Sequence, residues 1–415
     1  MSLLINLAPK SPSMTDFNSL LSDRIVNMAE SATLAMARKA REMKAEGIDI
    51  ISLSIGEPDF KTPKHIQEAA KAAIDEQKYF GYPPVAGYMD LREAIAKKLR
   101  EENGIDSKAE NILVSTGAKQ SIANVIISIS NPGDEIVILT PYWVSYRDIT
   151  LFAGSTPVFA EGTIENDFKV TPEELESKIT DKTKAILFSS PSNPTGSVFT
   201  KEEIEGIVAV MAKYPDVLII SDEIYEHINF TGKHISIGSY DEVKDRTITV
   251  NGFSKGFAMT GWRIGYISAP VAITKACEKV QGQVTSGANS IAQRAALVGL
   301  TSDLGPTKEM TEEYLRRRGL VMELLNDIPG VKTYTPSGAF YIFPDVSSYF
   351  GKSTGSQTIN NASDLCLYIL NEAHVSLVTG DAFGAPKSVR LSYAASEEEL
   401  REAIRRLKEA LGKLH

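Results

Sequence analysis

Between residues 111 and 270 the chain alternates short runs rich in Val and Ile with longer stretches in which apolar residues recur every three or four positions. The short runs are NILVS (111–115), EIVILT (135–140), TPVFA (156–160), KAILFSS (184–190), VLIISDE (217–223), TITVNGFS (247–254) and GYISA (265–269). Short, β-branched and nearly continuous in apolar residues, they predict strands buried on both faces. SIANVIISIS and TKEEIEGIVAVMAKY carry the 3.6-residue period of helices. The alternation predicts an α/β fold, a mostly parallel sheet covered by helices on both faces. Sites in such sheets form at the carboxyl ends of the strands. Polar clusters fall at three of those ends: SSPSNPTG after one strand, SDEIY at the end of a second and GFSKG at the end of a third.

After residue 300 the texture changes. GPTKEMTEEYLRRRGLVMELLNDIPG predicts one long helix closed by Pro329 and Gly330, followed by a β-containing segment that ends in VRLSYA. In the last helix Ser396 and Glu399 form a capping box, and Leu400, Ile404, Leu407 and Leu411 make one apolar face. IDIISLSIGEPDF, near the start, predicts a further strand followed by a turn. The expected organisation is a flexible leader over 1–22, a large domain over 61–303, and a smaller α+β domain assembled from 23–60 and 304–415.

The chain has 415 residues, 43% hydrophobic and 23% charged, which is ordinary globular composition in one large or two unequal domains. No apolar run approaches the roughly 18 residues of a membrane span. The start, MSLLINLAPKSPSM, lacks a basic segment followed by a long apolar core, so it is not read as a signal peptide. Cys277 and Cys366, two and far apart, fit a reducing cytoplasm. A net charge of −9 argues against nucleic acid as a partner, and any anion site must be local. No metal is expected. No G-x-G-x-x-G opens a helix after a first strand, which argues against a nicotinamide-dependent dehydrogenase. A non-catalytic sensor fused to a DNA-binding domain is disfavoured by the acidic balance and the want of an upstream helix-turn-helix segment.

Lys255 stands between small and apolar residues in VNGFSKGFAMTGWRIGYIS, with Arg263 eight positions on. Burial lowers a lysine's pKa, and a discharged amine suits covalent chemistry. Taken alone, a glycine-flanked lysine reads as a surface loop residue. The company it keeps changes that reading. GEPDF, YPPVAG, STGAKQ, PYWVSY, SNPTG, SDEIY, SKGFAMTGWRIGY and VRLSYA, in this order over most of residues 50 to 395, resemble the class I aminotransferases of the aspartate aminotransferase fold. These are pyridoxal-phosphate enzymes. Within them the pattern is most similar to the bacterial aspartate aminotransferases whose class also holds prephenate aminotransferases.

The resemblance implies a role for each residue. Lys255 holds the cofactor's aldehyde and moves the substrate's α-proton. Asp222 faces the ring nitrogen and keeps it protonated. Tyr225 and Asn193 bond to the phenolic oxygen. Arg263 takes the phosphate as a bidentate pair, with the backbone amides of Gly117, Ala118 and Lys119 at a helix N-terminus and the hydroxyl of Ser254. Trp143 stacks on the ring. Tyr82 reaches the phosphate of a neighbouring subunit, which implies a homodimer with shared sites. Arg390 binds the substrate's α-carboxylate, Gly56 lets the backbone approach it, and Lys119 faces a distal carboxylate. Ping-pong transfer from L-aspartate to 2-oxoglutarate is the expected reaction. Prephenate or aromatic substrates, or a lyase on the same fold, are the alternatives.

Overall fold

A computed structural model describes residues 17–26, 28, 30–355 and 357–415. Most of the expected leader lies outside the described residues; its described part includes a 3-10 turn, Phe17–Leu20. Eight strands come first in the chain: β1 Ile51–Ser52, β2 Ile112–Ser115, β3 Glu135–Thr140, β4 Thr156–Glu161, β5 Thr183–Ser189, β6 Leu218–Asp222, β7 Thr247–Gly252 and β8 Gly265–Ser268. Strands β2 to β8 are the runs predicted from sequence, and they form one sheet in the order β2-β8-β7-β6-β5-β3-β4. Neighbours are parallel except at β8, which runs antiparallel to β2 and β7.

The sheet is buried on both faces except at its edge strand β4, where only Ala160 is fully buried, contrary to the expectation for TPVFA. Ile136 and Ile138 of β3 pack with Leu187, Ile220 and Ile267 beneath the helices Ala118–Ile129 and Val271–Val284. Val137 and Leu139, pointing the other way, pack with Ile186, Ile219 and the helix Lys201–Met211. This is the period-2 alternation of a strand with a core on each side. Each fully buried Ile or Leu contributes about 1.5–3 kcal/mol, so the layers need no other fastening. Among the described residues no helix is long and apolar enough to cross a membrane.

Four further strands build small sheets: β9 Tyr341–Ile342, β10 Val375–Ser376, β11 Val378–Thr379 and β12 Val389–Ser392. β12 lies between β11 and β9, antiparallel to both, while β1 pairs parallel with β10. The predicted strand in IDIISLSIGEPDF is only the two residues of β1. Beyond it the backbone serves two ladders in turn, Leu53 N donating to Ser376 O (3.0 Å) and Leu53 O accepting from Ser392 N (2.9 Å). Leu400, Ile404, Leu407 and Leu411 of the last helix are buried in this second core with Val375, Leu391 and Tyr314. Its capping box is formed, Ser396 Oγ accepting from Glu399 N at 3.2 Å and Glu399 Oε2 accepting from Ser396 N at 3.2 Å.

Candidate active site

A cavity of about 660 Å³ opens where the carboxyl ends of β5, β6 and β7 and the start of the helix Ala118–Ile129 meet β9 and β12. Because β8 is antiparallel, its first residue lies at those same ends, with Gly265 opposite both Ser115 and Gly252. Arg263, two residues earlier, therefore emerges beside the Gly117 loop. Its backbone is left-handed, φ 58° and ψ 54°. The guanidinium lies so close to Gly117 that a Cβ there would come within 2.3 Å of Nη2, and Gly117 itself has φ +82°. Glycine meets both demands. Arg263 Nη1 donates to Thr260 O (2.9 Å), and among the described residues no carboxylate pairs with it.

The Gly117 loop departs from expectation in one respect. The Gly117 amide is not free: it donates to Ser115 O at 2.8 Å. Of the three amides expected to meet a phosphate, those of Ala118 and Lys119, first in the helix, remain. Gly117 shapes the loop instead, by leaving room for Arg263.

Lys255 follows β7, and its Nζ donates to Gly56 O at 2.6 Å. Burial brings its pKa down to about 8, with Arg390 and Arg263 adding to the effect and Glu57 and Asp222 opposing it. Asp222, the last residue of β6, is buried. Its Oδ2 accepts from Tyr146 Oη (2.7 Å) and its Oδ1 from Ile224 N (3.2 Å). Burial pushes its carboxyl up to about 6, against the pull of those two donors. Tyr225 and Tyr341 share a hydrogen bond between hydroxyls, 2.7 Å.

Arg390, in the middle of β12, is 1% exposed. It donates to Asn193 Oδ1 (2.9 Å) and Ser54 O (2.6 Å), its guanidinium lies 4.6 Å from the Tyr341 ring centre, and its Nε is buried with no partner. No carboxylate among the described residues pairs with it. A buried cation without a counter-ion is costly, and an anion entering the cavity would offset that cost. The Asn193 amide, its oxygen engaged by Arg390, keeps its N–H groups for another acceptor.

Lys119 and Trp143 face each other across the mouth, Nζ 5.0 Å from the ring centre. Burial, and then Arg263, hold Lys119 below the usual lysine range. Ser254 and Gly56 also line the cavity; a Cβ on Gly56 would stand 2.5 Å from Tyr341 Oη. Tyr82 does not join them: it is 95% exposed and outside the cavity of its own chain.

The family profile of class I and II aminotransferases matches residues 48–407. The chain belongs to that family. This aminotransferase is 46% identical over 398 residues to a bifunctional aspartate aminotransferase and glutamate/aspartate-prephenate aminotransferase of Petunia hybrida, covering 94% of this chain and 82% of the relative. It is 44% identical to an aspartate/prephenate aminotransferase of Nitrosomonas europaea, over 93% of this chain and 98% of the relative. A solved aspartate aminotransferase from Rhizobium meliloti superposes with a TM-score of 0.92 at 40% identity, covering 95% of this chain and 99% of that one. One from Thermus thermophilus, solved with maleate, gives 0.89 at 41%, covering 94% and 99%.

Several residues of the aminotransferase's cavity escaped the sequence reading. Tyr146 and Tyr341 sit in PYWVSY and AFYIF, where an aromatic reads as core. Tyr146 stands three residues after Trp143, a spacing that puts both on one side of a helical turn. The helix Ala32–Ala45 brings Ser31, Thr33 and Arg41 to the mouth. Its signal was there, a serine followed by an Ala-, Met- and Lys-rich run.

Proposed function

We propose that this aminotransferase uses pyridoxal 5′-phosphate to transfer the amino group of L-aspartate to 2-oxoglutarate, as a cytoplasmic homodimer. The observation that carries the reading is the buried guanidinium of Arg390, without a carboxylate partner among the described residues, in one cavity with Lys255 and Asp222. The donor set fits the cofactor: an arginine without a carboxylate partner among the described residues and two helix-start amides for a phosphate, a buried carboxylate for a ring nitrogen, and a lysine of lowered pKa for an aldehyde. When bound, the cofactor supplies an aldehyde that takes the amine and a ring that accepts electrons from the substrate's α-carbon.

The chain's own groups do the rest. Lys255, with a pKa near 8, is partly neutral at cytoplasmic pH and moves the α-proton as base and acid. Asp222 is mostly ionised above pH 6 and would keep a proton on the cofactor's ring nitrogen. Tyr225 and the Asn193 amide would bond to the phenolic oxygen, Trp143 would stack on the ring, and Arg263 and Ser254 would bind the phosphate. Arg390 orients the α-carboxylate beside Gly56. A coupled assay should show oxaloacetate formed from L-aspartate only when 2-oxoglutarate is present; ammonia release without an acceptor would instead mark a lyase. Prephenate as acceptor is a second reading, supported by the names of the Petunia and Nitrosomonas relatives.

Lys119 is the cation for the distal carboxylate in this reading, supported by its position on Trp143 and by the dicarboxylate in the Thermus relative. A hydrogen bond to a charged group contributes about 1.5–3 kcal/mol. Lys119→Ser should therefore lower kcat/KM for aspartate and glutamate by about ten- to a hundredfold and leave alanine nearly unchanged. Equal losses on all substrates would assign Lys119 to the cofactor or the fold.

The homodimer reading draws on three exposed apolar or aromatic side chains, Phe80 at 65%, Tyr82 at 95% and Val284 at 69%. Tyr82 then serves the partner's phosphate. Mixing an inactive Tyr82 variant with an inactive Lys255 variant should restore activity, because one of the two sites in each heterodimer is intact. No recovery after verified subunit exchange would count against Tyr82 crossing the interface. The cytoplasmic location is supported by Cys277 and Cys366, both buried and unbridged.

A further inference from the structure

Behind the turn that presents Asp222 and Tyr225 lies a second set of charged groups for which the proposed chemistry has no direct use. Glu223 and Glu226, each one residue further along, are buried away from the cavity. Glu223 accepts from Ser221 Oγ (3.0 Å) and Ser236 Oγ (2.6 Å) and lies 3.0 Å from His234 Nε2. Glu226 accepts from Asn103 Nδ2 (2.8 Å), Asn251 Nδ2 (2.8 Å) and the Lys98 ammonium. Lys98, 5% exposed, also donates to Asn103 Oδ1 at 2.7 Å. Glu102 near Lys98 (3.6 Å), His227 near Glu226 (3.6 Å) and Tyr266 of β8 are the other titratable groups facing the pair.

The local backbone makes this cluster possible. Lys98 and Asn103 are five residues apart and would point about 140° from one another on an α-helix. The helix Met89–Lys98 passes into a π-helical turn, Leu99–Asn103, that ends on Gly104 at φ 70°. Its wider turn brings both side chains onto Glu226.

Two strand ends join the cluster to the cavity. Along the turn after β6, Asp222, Ile224 and Tyr225 line the cavity, while Glu223 turns to Ser236 and His234 and Glu226 to Lys98. On β7, Asn251 binds Glu226 with its amide and accepts from Gly252 N (2.7 Å) with its oxygen, four residues before Lys255. His227 lies against Gly256, where a Cβ would come within 2.7 Å of the imidazole. We infer that this buried network is a positioning device for the reaction proposed above, on which the inference rests: Lys98, through Glu226 and Asn103, holds Asp222, Tyr225 and Lys255 in register and balances the charge behind them.

Burial pushes the Glu226 carboxyl up, but Lys98 and the two imidazoles outweigh it and hold it well below its ordinary value. In the wild type its contribution to stability is thus present above the unfolded pKa and lost in acid. In Lys98→Met the buried carboxyl loses its main counter-ion, its folded pKa rises above the unfolded one, and stability is lost as pH rises. The melting deficit of cofactor-free Lys98→Met should therefore widen by about 2–4 °C between roughly pH 5.5 and 8.5. Adding Glu226→Gln should abolish that dependence.

The cavity supplies the second readout. On protein loaded with pyridoxal phosphate, Lys98→Met should raise the pH midpoint of the visible absorption and Glu226→Gln should lower it, each by about half a unit or more. The double variant should return it toward wild type, and kcat should fall about tenfold in each single variant with KM little changed. A merely structural lesion would not move the midpoint in opposite directions. If Lys98→Met does not fold, the fall in midpoint of Glu226→Gln decides alone. A melting deficit independent of pH, or midpoints unmoved or moved together, would overturn the inference. Failure of the wild type to develop a visible band would refute the proposed cofactor instead, and the cofactor-free melting would still read the charge balance.

Discussion

Lys255→Ala is expected to abolish transamination, by about four orders of magnitude or more, while the protein still folds. The amine has two tasks in this account, holding the cofactor's aldehyde and moving the α-proton, and proton transfer alone contributes about 10²–10⁴. No neighbour can take over. A guanidinium is no proton acceptor, and Tyr225 is buried against Tyr341, with a pKa raised well above its ordinary value by burial. The fold should survive because, among the described residues, the lysine's side chain makes one hydrogen bond, to Gly56 O, and removing a buried cation relieves desolvation. In the wild type, uptake of the cofactor's aldehyde should quicken as pH rises through about 8, where Lys255 discharges. Stopped-flow uptake and a coupled assay check both points, and near wild-type turnover in Lys255→Ala would remove it from the mechanism.

The second large effect belongs to Asp222. Replacing it with Ala should leave the cofactor bound through Arg263 and the helix-start amides but cut kcat by about three orders, since an unprotonated ring is a poor electron acceptor. Removing the carboxylate takes the 2.7 Å acceptor from the buried Tyr146 hydroxyl and leaves it only Ser189, which costs about 1–3 kcal/mol. Two readouts separate these effects: melting temperature reports the lost hydrogen bond, and kcat with cofactor saturating reports the lost charge. Tyr146→Phe should show the milder converse, a small change in kcat, because Asp222 keeps the Ile224 amide. An Asp222→Ala enzyme within tenfold of wild type would sink the proposed role.

The sheet was legible because strands buried on both faces write their extent as unbroken apolar runs: EIVILT is β3, residue for residue. The last helix was legible through its cap, Ser396 and Glu399. Where the backbone serves two partners at once the pattern failed. IDIISLSIGEPDF reads as one strand, yet past Ser52 its hydrogen bonds are divided between Ser376 and Ser392. The residues drawn into the cavity at the ends of β5, β6 and β7 stood out as polar clusters after apolar runs, so Asn193, Asp222 and Lys255 could be named together.

Groups whose position depends on distant packing could not be named. Tyr341 stands in an apolar run that looks like core, and only the pairing of β9 with β12 brings it under Arg390. The π-helical turn at Leu99–Asn103 has no signature in LREEN, since its register is set by what Lys98 and Asn103 must reach. Gly117 was singled out for its amide, but the Ser115 carbonyl takes that proton and the missing side chain is what matters.

The central claim, that Lys255, Asp222 and Arg390 together run a reversible amino transfer on pyridoxal phosphate, is tested most directly by the visible absorption of the purified, cofactor-loaded protein. L-aspartate alone should shift the band once and stoichiometrically, with one oxaloacetate formed per site, and 2-oxoglutarate should then restore the original band with one glutamate per site. A band that L-aspartate does not change, or one that 2-oxoglutarate cannot restore, would contradict the account.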